Sequence, residues 1–255
     1  MTKIWHTRSF DLYPSLQDLS CLFPGGWLDD SVIVDMLSLF LDSLNLNSDI
    51  FILDPVFVQG LPTTKKDSPL ESQKYVFFPY NWKRVHWCLF VLEVSSGRVL
   101  IFDSLKKTHN EYRESILCFL YICRFYLGIR NLPSAKTISS VVPPSNHQNT
   151  WSFPTQGATN RTNFRKQFKV VSTWQQNNNS DCGPFTILSS FYLISNNISE
   201  LCFERVFKED AYLLPGIPRN FIDEVVRKEI FLTLFVQRRR NFEAMDISFS
   251  DTSFF

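Results

Sequence analysis

The chain of 255 residues is long enough for one sizeable core and has an ordinary globular make-up, with 44% hydrophobic and 20% charged residues. Its 25 Phe, 8 Tyr and 6 Trp against 8 Gly point to a bulky interior. With 26 basic and 25 acidic residues, no global field favours nucleic acid or an anionic membrane, and neither is expected as a partner.

Gly25-Gly26 leads into Trp27-Leu28-Asp29-Asp30, after which apolar residues recur at Val32, Ile33, Met36, Leu37, Phe40, Leu41 and Leu44. That stripe predicts a helix with Asp29 and Asp30 in its N-terminal turn. Phe51 to Val58 and Tyr75 to Phe78 read as short strands, with a polar loop over 60–74 between them. Val85 to Val94 and Arg98 to Phe102 predict a hairpin around Ser95-Ser96-Gly97. Both runs are apolar on both faces, as central strands covered by helices would be. Glu111 to Ile129 has helical length and ends near Gly128.

Segment 131–167 changes character. It is rich in Asn, Ser, Thr, Pro, Gln and Gly, has no acidic residue, and carries Lys136, Arg161, Arg165 and Lys166. It reads as a long exposed insertion, partly mobile. Lys169 to Trp174 returns to strand character, and a helical pattern begins at Cys182. A last helix is expected from about Arg219 to Arg238, entered after Pro218, with Arg238-Arg239-Arg240 as its solvated end. The tail 241–255 is irregular. The order of elements makes a single mixed α+β domain over 1–240.

The six cysteines are Cys21, Cys88, Cys118, Cys123, Cys182 and Cys202. Cys88 falls in the strand run, and Cys118 and Cys123 in the aromatic helical run, so buried thiols in a reducing compartment are expected. There is no leader-like apolar segment after Met1 and no stretch of 18 uncharged apolar residues. The protein is therefore expected to be soluble and intracellular, in nucleus or cytoplasm.

Three features carry chemistry. Val85-His86-Trp87 puts an imidazole at the mouth of a buried strand, and Phe102-Asp103-Ser104 puts an acid where the next strand stops. Hairpin pairing of those strands would make His86 and Asp103 neighbours. Third, Gln175-Gln176-Asn177-Asn178-Asn179-Ser180-Asp181-Cys182-Gly183-Pro184 places a thiol after a polar turn and before an apolar helix. A helix N-terminus favours the thiolate, and Pro184 suits the first turn. Taken singly, His86 also reads as a strand-end residue, Asp103 as a cap or turn residue, and Cys182 as a small core residue.

Together, Trp27-Leu28-Asp29-Asp30, Val85-His86-Trp87, Phe102-Asp103-Ser104-Leu105 and Gln175-Gln176 through Asp181-Cys182-Gly183 resemble the ubiquitin-like-protein-specific proteases of the Ulp/SENP type. The order His, Asp, Gln, Cys matches, as do the steps from His86 to Asp103 and from Gln176 to Cys182. The resemblance covers about residues 20–210 and implies a papain-like fold, a central mixed sheet flanked by helices with the nucleophile opening a helix. It implies that His86 is the base, Asp103 its orienter, Cys182 the nucleophile and Gln176 an oxyanion donor beside the Cys182 N–H. Trp27 and Trp87 would wall a tunnel too narrow for Cβ atoms, selecting a Gly-Gly tail, with Asp30 on the rim facing the modifier. Asp181 would support the turn and not act as a catalytic acid. The implied partner is a ubiquitin-like modifier (SUMO favoured, NEDD8 or ubiquitin open) and its conjugates, met by a monomer without cofactor or metal.

Asn179 stands where the family usually has Gly; a left-handed backbone there is tolerable for Asn, so the turn can survive. The positive charge of 131–167 either touches an acidic modifier surface or is simply solvated. Three other functions stay open: an acetyltransferase effector on the same His–acid–Cys scaffold, resembling the YopJ type; a viral-type polyprotein-processing protease; and a non-catalytic modifier-binding protein. The paired tryptophans argue against the first, and the complete set of four catalytic positions against the last.

Overall fold

The computed structural model describes residues 18–46, 49–58, 70–105, 111–130, 132, 138–143, 151–153, 167–171, 173–196, 203, 205–207, 221–234 and 236. The expectations for Lys136, Arg161, Arg165, Lys166, Cys202, Arg238-Arg239-Arg240, the tail 241–255 and most of the 60–74 loop lie outside the described residues.

The apolar stripe after Trp27 winds into α1, Asp30–Leu44, which stops at Asn45 in a left-handed conformation (φ 55°). Leu46 then donates its N–H to the Leu41 carbonyl, a backbone closure of the helix end. The strand expected from Phe51 to Val58 is shorter. β1 is Ile50–Ile52, and Pro55–Val58 is a 3₁₀ turn. Asp54 accepts the Val56 N–H at 2.9 Å, and Pro55 cannot donate to a ladder, so the chain turns away. β2, Tyr75–Trp82, runs four residues past the expected Phe78. Pro79 ended the expectation, but it lies beyond the part of β2 that pairs with β1, so no ladder there requires its N–H.

β3, His86–Glu93, and β4, Arg98–Phe102, form the expected hairpin, with Gly97 at φ 68° supplying the left-handed turn position. α2 is Arg113–Phe125, β5 is Phe168–Val171 and α3 is Cys182–Ser195. A final helical stretch, α4 (221–234), contains a π-helical segment, Ile222–Val226.

The five strands lie in the order β1-β2-β3-β4-β5. β1 and β2 are parallel, β2, β3 and β4 antiparallel, and β4 and β5 parallel, so the sheet is mixed. Its period-two alternation divides the interior in two. Phe77, Leu89, Val91 and Leu100 pack with α1, α3 and α4. Phe78, Cys88, Phe90 and Ile101 pack with α2. Every residue of β3 is buried, as the unbroken apolar run required.

The described part of 131–167 is not all exposed. Leu132, Ile138 and Val141 join the α2-side core, and Val142 pairs with Ser152 in an antiparallel bridge. Among the described residues, no helix is long and apolar enough to cross a membrane.

Candidate active site

His86 opens β3 and Asp103 follows the last residue of β4. In register, Leu89 faces Phe102, so the start of one strand and the end of the other meet at one end of the hairpin. There His86 Nε2 lies 2.6 Å from Asp103 Oδ1, with both side chains buried. Asn81, across the β2–β3 turn, accepts the His86 backbone N–H at 3.3 Å and fixes where the strand begins.

Asp103 is held from two more sides. Its Oδ1 accepts the Leu105 N–H at 2.6 Å, and its Oδ2 accepts the hydroxyl of Tyr112, the residue just ahead of α2. Burial by itself would raise the Asp103 pKa, but the His86 hydrogen bond and charge, Tyr112 and the Leu105 N–H hold it below the usual carboxylate value.

The thiol arrives from the other core. Cys182 is the first residue of α3 and is 2% exposed. It lies close enough to the His86 ring to raise the imidazole pKa, and because Nε2 faces Asp103, Nδ1 is the nitrogen left for sulfur. Burial would lower the His86 pKa. The hydrogen bonds and charges of Asp103 and Cys182 outweigh it, so the imidazole stays protonated to higher pH than usual.

The turn before Cys182 is built by Asn178, whose Oδ1 accepts the N–H groups of Ser180 and Asp181, both at 3.1 Å. With this side-chain scaffold the turn forms without a left-handed backbone at Asn179. The non-glycine residues with positive φ among those described are Asn45, Lys83 and Arg84. Asp181 bonds Asn178 Nδ2 at 2.7 Å and Arg227 Nη2 at 2.8 Å, as a residue supporting the turn should.

Leu28 links the two tryptophans to the start of α3 at Cys182. Its carbonyl accepts the Trp87 indole N–H at 2.8 Å. Its side chain lies so near Gly183 that a Cβ there would stand 2.8 Å from Leu28 Cβ. Trp27, one residue earlier, is 46% exposed, while Trp87 is buried in the core against that segment. Asp30 begins α1, half-buried, with its carboxylate on the Ser31 N–H at 3.0 Å.

Gln176 is tied to the acid's end of the site. Its backbone N–H reaches the Ser104 carbonyl at 3.1 Å. Its Oε1 accepts from Ser104 Oγ at 2.5 Å, and its Nε2 donates to the Asn178 carbonyl at 2.6 Å, leaving one amide hydrogen.

His86, Asp103 and Cys182 thus converge, with Gln176 bonded to Ser104, the residue next to Asp103. Sequence reasoning missed Tyr112, Leu28, Asn178 and Arg227. Tyr112 and Arg227 carry no local signal, since their partners are 9 and 46 residues away. Asn178 was readable in principle, because an Asx side chain in a turn accepts the backbone N–H groups two and three residues on.

A family model described as "Ulp1 protease family, C-terminal catalytic domain" matches residues 27–210. No curated protein sequence matches the chain. Among solved structures, a de-sumoylating protease shares the fold at 18% identity and TM-score 0.54, over 90% of this chain and 89% of that one. The SUMO protease Ulp1 with its catalytic cysteine oxidized to a sulfenic acid is similar at 15% identity and TM-score 0.51, over 88% of each chain. The Ulp1 protease domain in complex with Smt3, the yeast ortholog of SUMO, is similar at 15% identity and TM-score 0.50, covering 85% of this chain and 83% of its own.

Proposed function

The chain belongs to the Ulp1 protease family and is a cysteine protease, and from that premise we propose that it cleaves the bond following the C-terminal Gly-Gly of a ubiquitin-like modifier. The observation that carries this is the buried His86–Asp103 pair at 2.6 Å with the Cys182 thiol near enough to the same ring to raise its pKa. SUMO is the first choice of modifier, because the similar solved structures described above include a de-sumoylating protease and a SUMO protease. NEDD8 and ubiquitin are the other outcomes.

In the proposed chemistry His86 Nδ1 takes the Cys182 proton, and the sulfur adds to the carbonyl carbon of the last glycine. The carbonyl π electrons move to oxygen, where the Cys182 backbone N–H and the remaining amide hydrogen of Gln176 meet the oxyanion. Collapse breaks the C–N bond, and the leaving amine takes its proton from His86. Water, deprotonated by His86, then hydrolyses the thioester and restores the thiol. Asp103 keeps Nε2 protonated so that Nδ1 exchanges the proton throughout. Trp27, exposed beside Leu28, and Trp87, tied to the Leu28 carbonyl, border the approach for the tail, and Asp30 meets the modifier.

A protease family model over 27–210 does not favour the acetyltransferase alternative or a binding protein without chemistry. The test is turnover of SUMO, NEDD8 and ubiquitin carrying a fluorogenic amide after Gly-Gly. The SUMO derivative is expected to turn over fastest, and Cys182→Ala to abolish turnover while modifier binding persists. Failure of all three substrates would overturn the proposal.

A further inference from the structure

Arg227 lies outside residues 27–210, the span of the family model, yet it reaches the site. It is 2% exposed, among the largest fully buried side chains, and follows directly on the π-helical segment Ile222–Val226 of α4. Such segments occur often at functional positions, because the extra residue re-aims the side chains after it.

The guanidinium gathers two separate stretches of chain. Nη1 donates to the Cys21 carbonyl at 3.2 Å, and Nη2 to the Gly26 carbonyl at 2.9 Å. Nη2 also reaches the Ser180 carbonyl at 3.1 Å and Asp181 Oδ1 at 2.8 Å. Cys21 and Gly26 bound the turn that delivers Trp27, whereas Ser180 and Asp181 immediately precede the nucleophile. A Cβ on Gly26 would stand 2.3 Å from the Cys21 carbonyl oxygen, so glycine is what lets both carbonyls converge on one cation. Asp181 makes no side-chain cap to α3. Its carboxylate is divided between Arg227 and Asn178.

We propose that Arg227 is a positioning residue that joins the Trp27 segment to the Cys182 turn and sets the distance between tunnel wall and nucleophile. The proposal rests on the assignment of Cys182 as nucleophile. A planar guanidinium presents several donors in a fixed fork, which an ammonium does not reproduce. Lysine at 227 keeps the charge and loses the fork.

The experiment compares Arg227→Lys, Asp181→Asn and the double variant in the full chain, at a temperature where circular dichroism shows each folded. Two rates are measured: kcat and KM per titrated active site on the preferred modifier substrate, and alkylation of Cys182 by iodoacetamide across pH, located by mass spectrometry. The second needs no modifier, so it reports on Arg227 even if the modifier assignment fails. Each single variant is expected to lower kcat/KM at least tenfold, with a rise in KM, and to alter the pH profile of alkylation. The double variant is expected to lose little more than either single one, since both break one linkage. Unchanged kcat, KM and alkylation profile with only a lower Tm would overturn the proposal, as would additive losses. If Arg227→Lys does not fold, Asp181→Asn decides alone: wild-type kinetics in that variant overturn it.

Discussion

Tyr112→Phe isolates the third hold on the Asp103 carboxylate. The ring packs edge-on against Phe90 at 6.1 Å, and the substitution keeps that contact while deleting only the hydroxyl that donates to Asp103 Oδ2. One oxygen of a buried carboxylate then loses its partner. Hydrogen bonds to charged groups contribute about 1.5–3 kcal/mol, so a loss of that size in unfolding free energy is expected at pH 7. The sign with pH follows from the depressed Asp103 pKa. Stability from the ionised carboxylate is present above the unfolded value of 3.8 and lost as pH falls through the folded value, so the deficit should shrink in acid. A carboxylate stripped of that donor stays ionised at pH 7 and is the stronger acceptor, so it holds the imidazolium harder. The His86 pKa should rise, and with it the limb of the kcat/KM profile that reports His86, alongside a several-fold loss of kcat/KM from the looser hold on the carboxylate. Urea unfolding at pH 7 and near pH 3, with the pH–rate profile, makes the check. Equal stability at pH 7 with an unmoved profile would refute the linkage between Tyr112 and the acid.

Gly183→Ala should be costly out of proportion to one methyl group. The new Cβ stands 2.8 Å from Leu28 Cβ, so overpacking of about 1–3 kcal/mol and a raised KM are expected in denaturation and steady-state assays. Asn178→Ala removes both caps on the turn and should lower stability by about 1–2 kcal/mol, together with kcat; unchanged kcat would contradict its scaffolding part. Gln176→Ala should lower kcat by about a hundredfold, with modifier affinity, read by calorimetry, nearly unchanged. A matching loss of affinity would remove it from the oxyanion site.

The parts of the fold legible in the sequence are those fixed by local patterning. The 3.6-residue stripe gave α1 nearly to the residue, and the unbroken apolar run of β3 announced a strand covered on both faces. The hairpin placed His86 beside Asp103 because strand pairing is a local geometric consequence of the Ser95-Ser96-Gly97 turn. Strand ends were less legible, since they depend on neighbours. β2 continues through Pro79 only because β1 has already stopped pairing, and β1 stops because Asp54 and Pro55 turn the chain. Tyr112 and Arg227 escaped notice for the same reason, as their partners are fixed by tertiary packing. Trp87 is buried and its indole N–H holds the Leu28 carbonyl, a bond between residues 59 apart that no local pattern announces.

The most direct test is covalent capture with SUMO, NEDD8 and ubiquitin whose C-terminal glycine is replaced by a thiol-reactive electrophile, followed by peptide mapping. A single adduct on the Cys182 sulfur is expected with at least one modifier, slowed strongly by His86→Ala and absent in Cys182→Ala. An adduct on another cysteine, or capture indifferent to His86, would contradict the catalytic assignment.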